Sequence, residues 1–253
     1  MKTLLLIRTL IFTTKLFGAT RSAAILVTTT LVTTLLFTTT LAAQPNVSGI
    51  WLLNLPDSES EIEFTALGQQ IQSDYDLLVD DPSLYCTPAS TSRIWANPNA
   101  PIKIEQTADR ILISYELFDL RREIPLGDAS ALTDLPSTKN LAGTYFAEMG
   151  SSFAHYEGER LVIESRNHAP GYIRTSRGVP QSENTVAIEE LSVSGDTLHI
   201  KHTYIDPTLY AQPFVLEYTF TRSDHMELAL YECTDANYDW FNELNAKPEE
   251  SDQ

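Results

Sequence analysis

Most of this chain alternates apolar and polar residues with a period of two. Ile111, Ile113, Tyr115 and Leu117 share one face of such a stretch, Leu198, Ile200, His202 and Tyr204 share another, and Phe214, Leu216, Tyr218 and Phe220 a third. Alternation of this kind predicts half-buried strands in an antiparallel sheet. Ser48-Gly49-Ile50-Trp51-Leu52-Leu53 reads as a further strand that ends at Asn54-Leu55-Pro56. Between Glu61 and Leu78 the period changes: Ile62, Leu67, Ile71, Tyr75 and Leu78 fall near helical spacing, which predicts the one helix of the domain there. Asp80-Asp81-Pro82-Ser83 then breaks the chain.

Four short runs repeat one pattern, a small residue, an acid, a variable residue and an alternating strand. They are Ala108-Asp109-Arg110-Ile111, Gly158-Glu159-Arg160-Leu161, Gly195-Asp196-Thr197-Leu198 and Ser223-Asp224-His225-Met226. A small residue with an acid at a tight turn suits a β-hairpin. The spacings are unequal, so the pattern predicts a meander of hairpins and not a solenoid. Two less regular stretches, 124–142 and 167–184, interrupt the meander as long loops of the kind that serve as lids or binding segments. The predicted fold is therefore mostly β, an antiparallel meander forming a lipocalin-like barrel, with one N-terminal helix and two long loops.

The first 43 residues change the compartment. They contain no acid, carry Lys2, Arg8, Lys15 and Arg21, and then run apolar from Ala23 to Ala43 with a small-residue end. This is the layout of a signal peptide cleaved after Ala42 or Ala43, the other reading being an uncleaved N-terminal anchor. A single β domain is expected over residues 44–244, followed by an acidic flexible tail at 245–253. The protein is expected to be periplasmic or secreted. All 34 acidic residues lie beyond residue 43, so the remainder is more acidic than the −17 of the whole chain. Nucleic acid is excluded as a partner, since phosphate contacts need clustered Lys and Arg, and an anionic membrane surface is disfavoured for the same reason. Cys86 and Cys233 are the two cysteines. An even pair in an oxidising compartment is read as one disulfide, with two free thiols as the alternative.

No nucleophile elbow, phosphate loop, dinucleotide fingerprint or zinc-protease motif is present, and no cofactor is expected. No metal site is expected either, because His199 and His202, three apart on a strand, face opposite sides. His155 and Glu157 project from the same side of one strand and are the candidate catalytic acid–base pair. Arg121 and Arg122 follow the Tyr115-Glu116 strand, so one of them should point inward and need an acid, Glu116 or Glu157, or an anionic ligand. Arg93, Trp95 and Pro98 form an aromatic-basic segment placed to plug a barrel end or line a ligand mouth.

Taken together, Ser48-Gly49-Ile50-Trp51, Asp80-Asp81-Pro82-Ser83-Leu84-Tyr85-Cys86, Arg93-Ile94-Trp95, Arg121-Arg122, His155-Tyr156-Glu157-Gly158-Glu159-Arg160 and Tyr231-Glu232-Cys233 resemble a widespread family of uncharacterised bacterial exported proteins of lipocalin-like appearance. Tyr156 stands where that family commonly has Trp, and Ser151 where a His often precedes Ser. The resemblance carries no activity with it. Three functions are expected from the residues. The first is binding of a small, partly apolar ligand by Arg93, Trp95, Tyr115, Arg121, Arg122 and His155. The second is catalysis by His155 and Glu157 on a small organic substrate, and the third is a structural or partner-binding role in the envelope.

Overall fold

The computed structural model describes residues 44–234, so the expected leader and the expected acidic tail lie outside the described residues. Along the chain run β1 (Gly49–Glu59), α1 (Ala66–Asp74), α2 (Leu77–Asp80), β2 (Ile102–Gln106), β3 (Arg110–Tyr115), β4 (Leu120–Pro125) and β5 (Thr138–Asn140). They are followed by β6 (Ser151–Glu157), β7 (Arg160–Arg166), β8 (Gly171–Arg174), β9 (Val179–Gln181), β10 (Val186–Ser194), β11 (Thr197–Ile205) and β12 (Phe214–Arg222). Ten strands form one antiparallel sheet in the order β5-β4-β3-β2-β1-β12-β11-β10-β7-β6, and β8 and β9 form a separate ribbon. The first strand therefore sits mid-sheet against the last, and the sheet's edges are β5 and β6. No ladder joins those edges among the described residues. Instead the turn that follows β4 reaches β6, by an isolated bridge between Leu126 and Ala154 and by the Gly127 N–H donating to Ala154 O at 2.8 Å.

The period-two faces fold as the alternation predicts. Ile111, Ile113 and Tyr115 on β3, Leu198, Ile200, His202 and Tyr204 on β11, and Phe214, Leu216, Tyr218 and Phe220 on β12 are all buried. Leu117 is buried as well, but in a short 3-10 turn rather than on the strand. Two of the recurrent turns use glycine for its conformation: Gly158 and Gly195 both have φ of +59° where β6 meets β7 and β10 meets β11.

Three expectations are corrected. The helix is shorter than residues 61–78 and divided. Phe64 is extended and bridges Tyr210, Thr65 caps α1 by accepting the Gly68 N–H, and extended backbone at Tyr75 ends it before Asp76 caps α2. Gly68 also lies against Leu209, whose carbonyl oxygen would stand 2.1 Å from any Cβ, so α1 docks by close backbone approach. The first strand does not stop at Pro56 but continues to Glu59 through a register shift between Asn54 and Ser58, an irregularity that accommodates a proline in a sheet. The fourth recurrent run forms no strand. Both sides of β12 are already taken by β1 and β11, so no ladder remains for residues 225–234. That segment instead ties back through the Ala229 N–H to Glu116, the Tyr231 N–H to Asp119 and the Cys86–Cys233 disulfide, whose Cα atoms are 5.9 Å apart.

One end of the interior is filled by the segment after Cys86. Ser90, Thr91, Ser92, Ile94 and Trp95 are at most 1% exposed, and the Tyr204 hydroxyl bonds Thr91 Oγ1 and accepts the Ser92 N–H. Trp51 packs elsewhere in the core, with its indole N–H on Val47 O and the Arg222 guanidinium 4.2 Å above its ring.

Candidate functional site: a buried polar cluster

The interior of an apolar sheet contains a fully buried ion pair. Arg122, from β4, donates from Nη2 to Glu189 Oε2 of β10 at 2.6 Å, and both side chains have no exposed surface. The same nitrogen lies 3.0 Å from Ser152 Oγ on β6 and 2.8 Å from Ser165 Oγ on β7. The guanidinium thus crosses the interior to three strands from the far half of the sheet. Glu189 Oε1 accepts the Trp95 indole N–H at 2.7 Å. Trp95 in turn packs edge-on against Tyr115 and Phe220, at centroid distances of 5.3 and 5.6 Å. His202 is the cross-strand neighbour of Glu189 and faces the same space, its ring 5.5 Å from that of Tyr218.

Burial sets the charges. It would push the Glu189 carboxyl up, but the Arg122 guanidinium outweighs it and the net shift is downward. Burial likewise opposes charge on Arg122, and Glu189 reverses the balance so that the guanidinium is held more firmly charged. His202 is pushed down to about 4 by burial, against the pull of Glu189, and so is neutral at pH 7. The cluster therefore carries one cation, one anion and a neutral imidazole.

Its hydrogen bonding is unbalanced. Arg122's short bonds all fall on Nη2, which has two hydrogens for three acceptors, while the Tyr115 hydroxyl stands near the guanidinium and Nε and Nη1 have no closer partner among the described residues. Both nitrogens of His202 and Thr138 Oγ1 have no partner among the described residues. Thr138 is the cross-strand partner of Arg122 on β5, so its hydroxyl adjoins the cluster. His168 is also buried, donating from Nδ1 to Glu148 O at 3.0 Å, and burial lowers its pKa against the pull of the Glu148 and Ser165 backbone. A buried polar group without a partner costs about 1–3 kcal/mol. Such groups are rare and scattered in folded proteins, and where several converge an ordered water or a bound polar molecule supplies the missing bonds.

Of the six residues expected to bind a ligand, Trp95, Tyr115 and Arg122 come together here. The other three do not. Arg121 lies on the opposite face of β4 and donates to Leu120 O at 2.8 Å. Arg93 is half-buried beside Leu117, Phe118 and Tyr231 at the disulfide end. His155 is on the outside, where its Nε2 lies 3.0 Å from Glu157 Oε1 with side chains 36% and 51% exposed. The expected catalytic contact therefore exists, but as a surface pair extended by Arg160, 3.5 Å from Glu157, and not as an enclosed acid–base couple. The inward arginine is Arg122, and its acid is Glu189 rather than Glu116 or Glu157, because Glu116 caps the Ala229 N–H and Glu157 faces solvent. Glu189 escaped the sequence reading although it alternates in phase with the buried Ala187 and Leu191.

Ser152 and Ser165 bond each other and Arg122, so neither is paired with a histidine base. No group of three or more His, Cys, Asp or Glu among the described residues is placed to hold a metal ion. No helix among them is long and apolar enough to cross a membrane. Comparison with known protein families and with characterised proteins finds no match.

Proposed function

We propose that this chain is an exported, periplasmic or secreted, binding protein. In this reading the sheet acts as a lipocalin-like barrel and encloses a small, partly apolar ligand at Arg122. The observation that carries it is a buried guanidinium whose short bonds all fall on Nη2, with Tyr115 beside it and both His202 nitrogens without a partner among the described residues, gathered by the aromatic rings of Trp95, Tyr115 and Phe220. Guanidinium N–H groups beyond those on Nη2 call for acceptor oxygens, and the rings beside them suit an apolar body. Because Arg122 is already neutralised by Glu189, the ligand would be held by directed hydrogen bonds more than by net charge. The disulfide fits a compartment outside the cytoplasm, and the resemblance to exported lipocalin-like proteins supports the same placement.

Native mass spectrometry of the protein purified from its own compartment tests this. A small molecule retained by the wild type and lost from Arg122→Met with Glu189→Leu is the expected result. Repeated preparations with no retained mass would remove the reading. A second reading, a barrel filled by its own side chains with a structural role, draws on the burial of Arg122, Glu189 and His202, all at most 1% exposed. It predicts retained water only and no dependence of stability on any added small molecule.

A further inference from the structure

A ligand enclosed by groups with no exposed surface needs a way in, and the geometry points to the seam between the two edges of the sheet as that port, with Ser152 at its threshold. One cleft is lined by a residue whose side chain bonds Arg122. It has a volume of about 210 Å³, opens between β5 and β6, and is lined by Ser137, Ser151 and Ser152 with Thr133, Lys139 and Tyr145. Ser152 Oγ is 3.0 Å from Arg122 Nη2, so this cleft ends one side chain from the cluster. The unpartnered, fully buried Thr138 Oγ1 belongs to the same place, on the edge strand between Ser137 and Lys139. Polar groups therefore continue from the surface to Arg122 along this line, and the enclosing sheet elsewhere presents strand ladders.

The seam is also the part of the wall built to open. Neighbouring strands elsewhere in the ten-stranded sheet are joined by ladders, that of β1 and β12 shifted between Asn54 and Ser58, but the two edges are joined by single bonds among the described residues. These include the Ser137 N–H to Gly150 O at 2.9 Å, the Ser152 N–H to Ser137 Oγ at 2.8 Å, the Thr133 N–H to Ser151 Oγ at 3.0 Å and the Gly127 N–H to Ala154 O at 2.8 Å. The strap that crosses it, from Pro125 to Ser137, has no buried residue. Segments with few buried apolar contacts and exposed hydrogen bonds open at a small fraction of the global unfolding cost. A cleft of this volume holds roughly seven waters at the share each takes in the liquid, which sets the port to small molecules.

The port rests on the Arg122 cluster being a binding site, but it can be tested by water alone. The Trp95 indole N–H, on Glu189, reports solvent reaching the cluster, and the Trp51 indole N–H, on Val47 O, reports general unfolding. Hydrogen exchange of both is followed by NMR in two variants of the full chain. Ser151→Ala removes one strap bond and is expected to speed Trp95 exchange about fivefold, the equilibrium factor of one ordinary hydrogen bond, with Trp51 unchanged. A disulfide across the seam, from Ser137→Cys with Ser151→Cys, is expected to slow Trp95 exchange at least tenfold against the same variant with that pair left unoxidised. An unchanged Trp95 rate in either variant, or a Trp51 rate that moves in step with it, overturns the port. A seam that opens in a protein that never retains a small molecule would leave the port standing and remove the binding reading, so the two fail separately.

Discussion

Two polar pairs in this protein have similar contact distances and opposite surroundings. Arg122 and Glu189 touch at 2.6 Å with no exposed surface, while His155 and Glu157 touch at 3.0 Å with a third to a half of each side chain in water. In water a contact of this kind is screened and contributes little. In the interior neither charge has a solvent alternative, so each is held by the other and by Trp95, Ser152 and Ser165. The difference assigns the roles. The buried pair ties β4 to β10 inside the core, and the exposed pair finishes a hairpin.

The strongest way to break this contrast is to remove one buried partner. Glu189→Ala leaves a guanidinium with no counter-charge and an indole N–H with no acceptor, and should cost about 3–5 kcal/mol in urea unfolding. A loss under about 1 kcal/mol would mean that water already reaches Arg122. The sharper form removes both charges. Arg122→Met with Glu189→Leu should recover most of that loss, since an apolar replacement of a buried pair is often neutral, while abolishing any retained ligand. Recovery of stability together with loss of binding separates the site from the scaffold.

The next effect is on pH. His202 faces Glu189 across the strands and the Arg122 guanidinium across the interior, and its pKa is held at about 4 against 6.5 in the unfolded chain. Between these values the unfolded chain holds more protons, so stability is full above pH 6.5 and falls as pH drops towards 4, by about 3 kcal/mol in all. His168 adds to the same window, because burial lowers its pKa too. Glu189, whose pKa is lowered from 4.5, keeps its contribution down to about pH 4.5 and loses it as pH falls further through its folded value. His202→Gln should flatten the slope of unfolding free energy between pH 6.5 and 4 in part, leaving the share of His168. An unchanged slope would show that His202 is not enclosed.

How far the sequence anticipated this depends on how local each signal is. The inward faces of β3, β11 and β12 were legible because alternation is a property of neighbouring residues. That one arginine of Arg121 and Arg122 must turn inward was legible for the same reason. Its partner was not, since Glu189 lies 67 residues away and which strand faces β4 across the interior is decided by the whole sheet. The phase of Glu189 with Ala187 and Leu191 marked a buried acid, but without naming its mate. The His155–Glu157 contact followed from i, i+2 spacing, whereas its exposure did not, because β6 leaves the core along its length, from Ala154 at 0% exposed to an exposed Glu157. The fourth hairpin signal failed at the level of the sheet, where β12 had no free side.

The smallest expected effect is the one that closes the comparison. The His155 imidazole holds the Glu157 carboxyl below its usual range, with Arg160 adding to the pull, but the group stays in water. Exposure lets solvent replace whatever the partner supplied, and rotamer freedom regained on breaking the contact offsets the rest. Glu157→Gln should therefore leave the urea midpoint within error of the wild type, and leave ligand retention untouched. Salt should make no difference to that result, since there is little interaction left to screen. A destabilisation comparable with Glu189→Ala would require the pair to be covered by something beyond residues 44–234, and would return the acid–base pair to contention as an enclosed site.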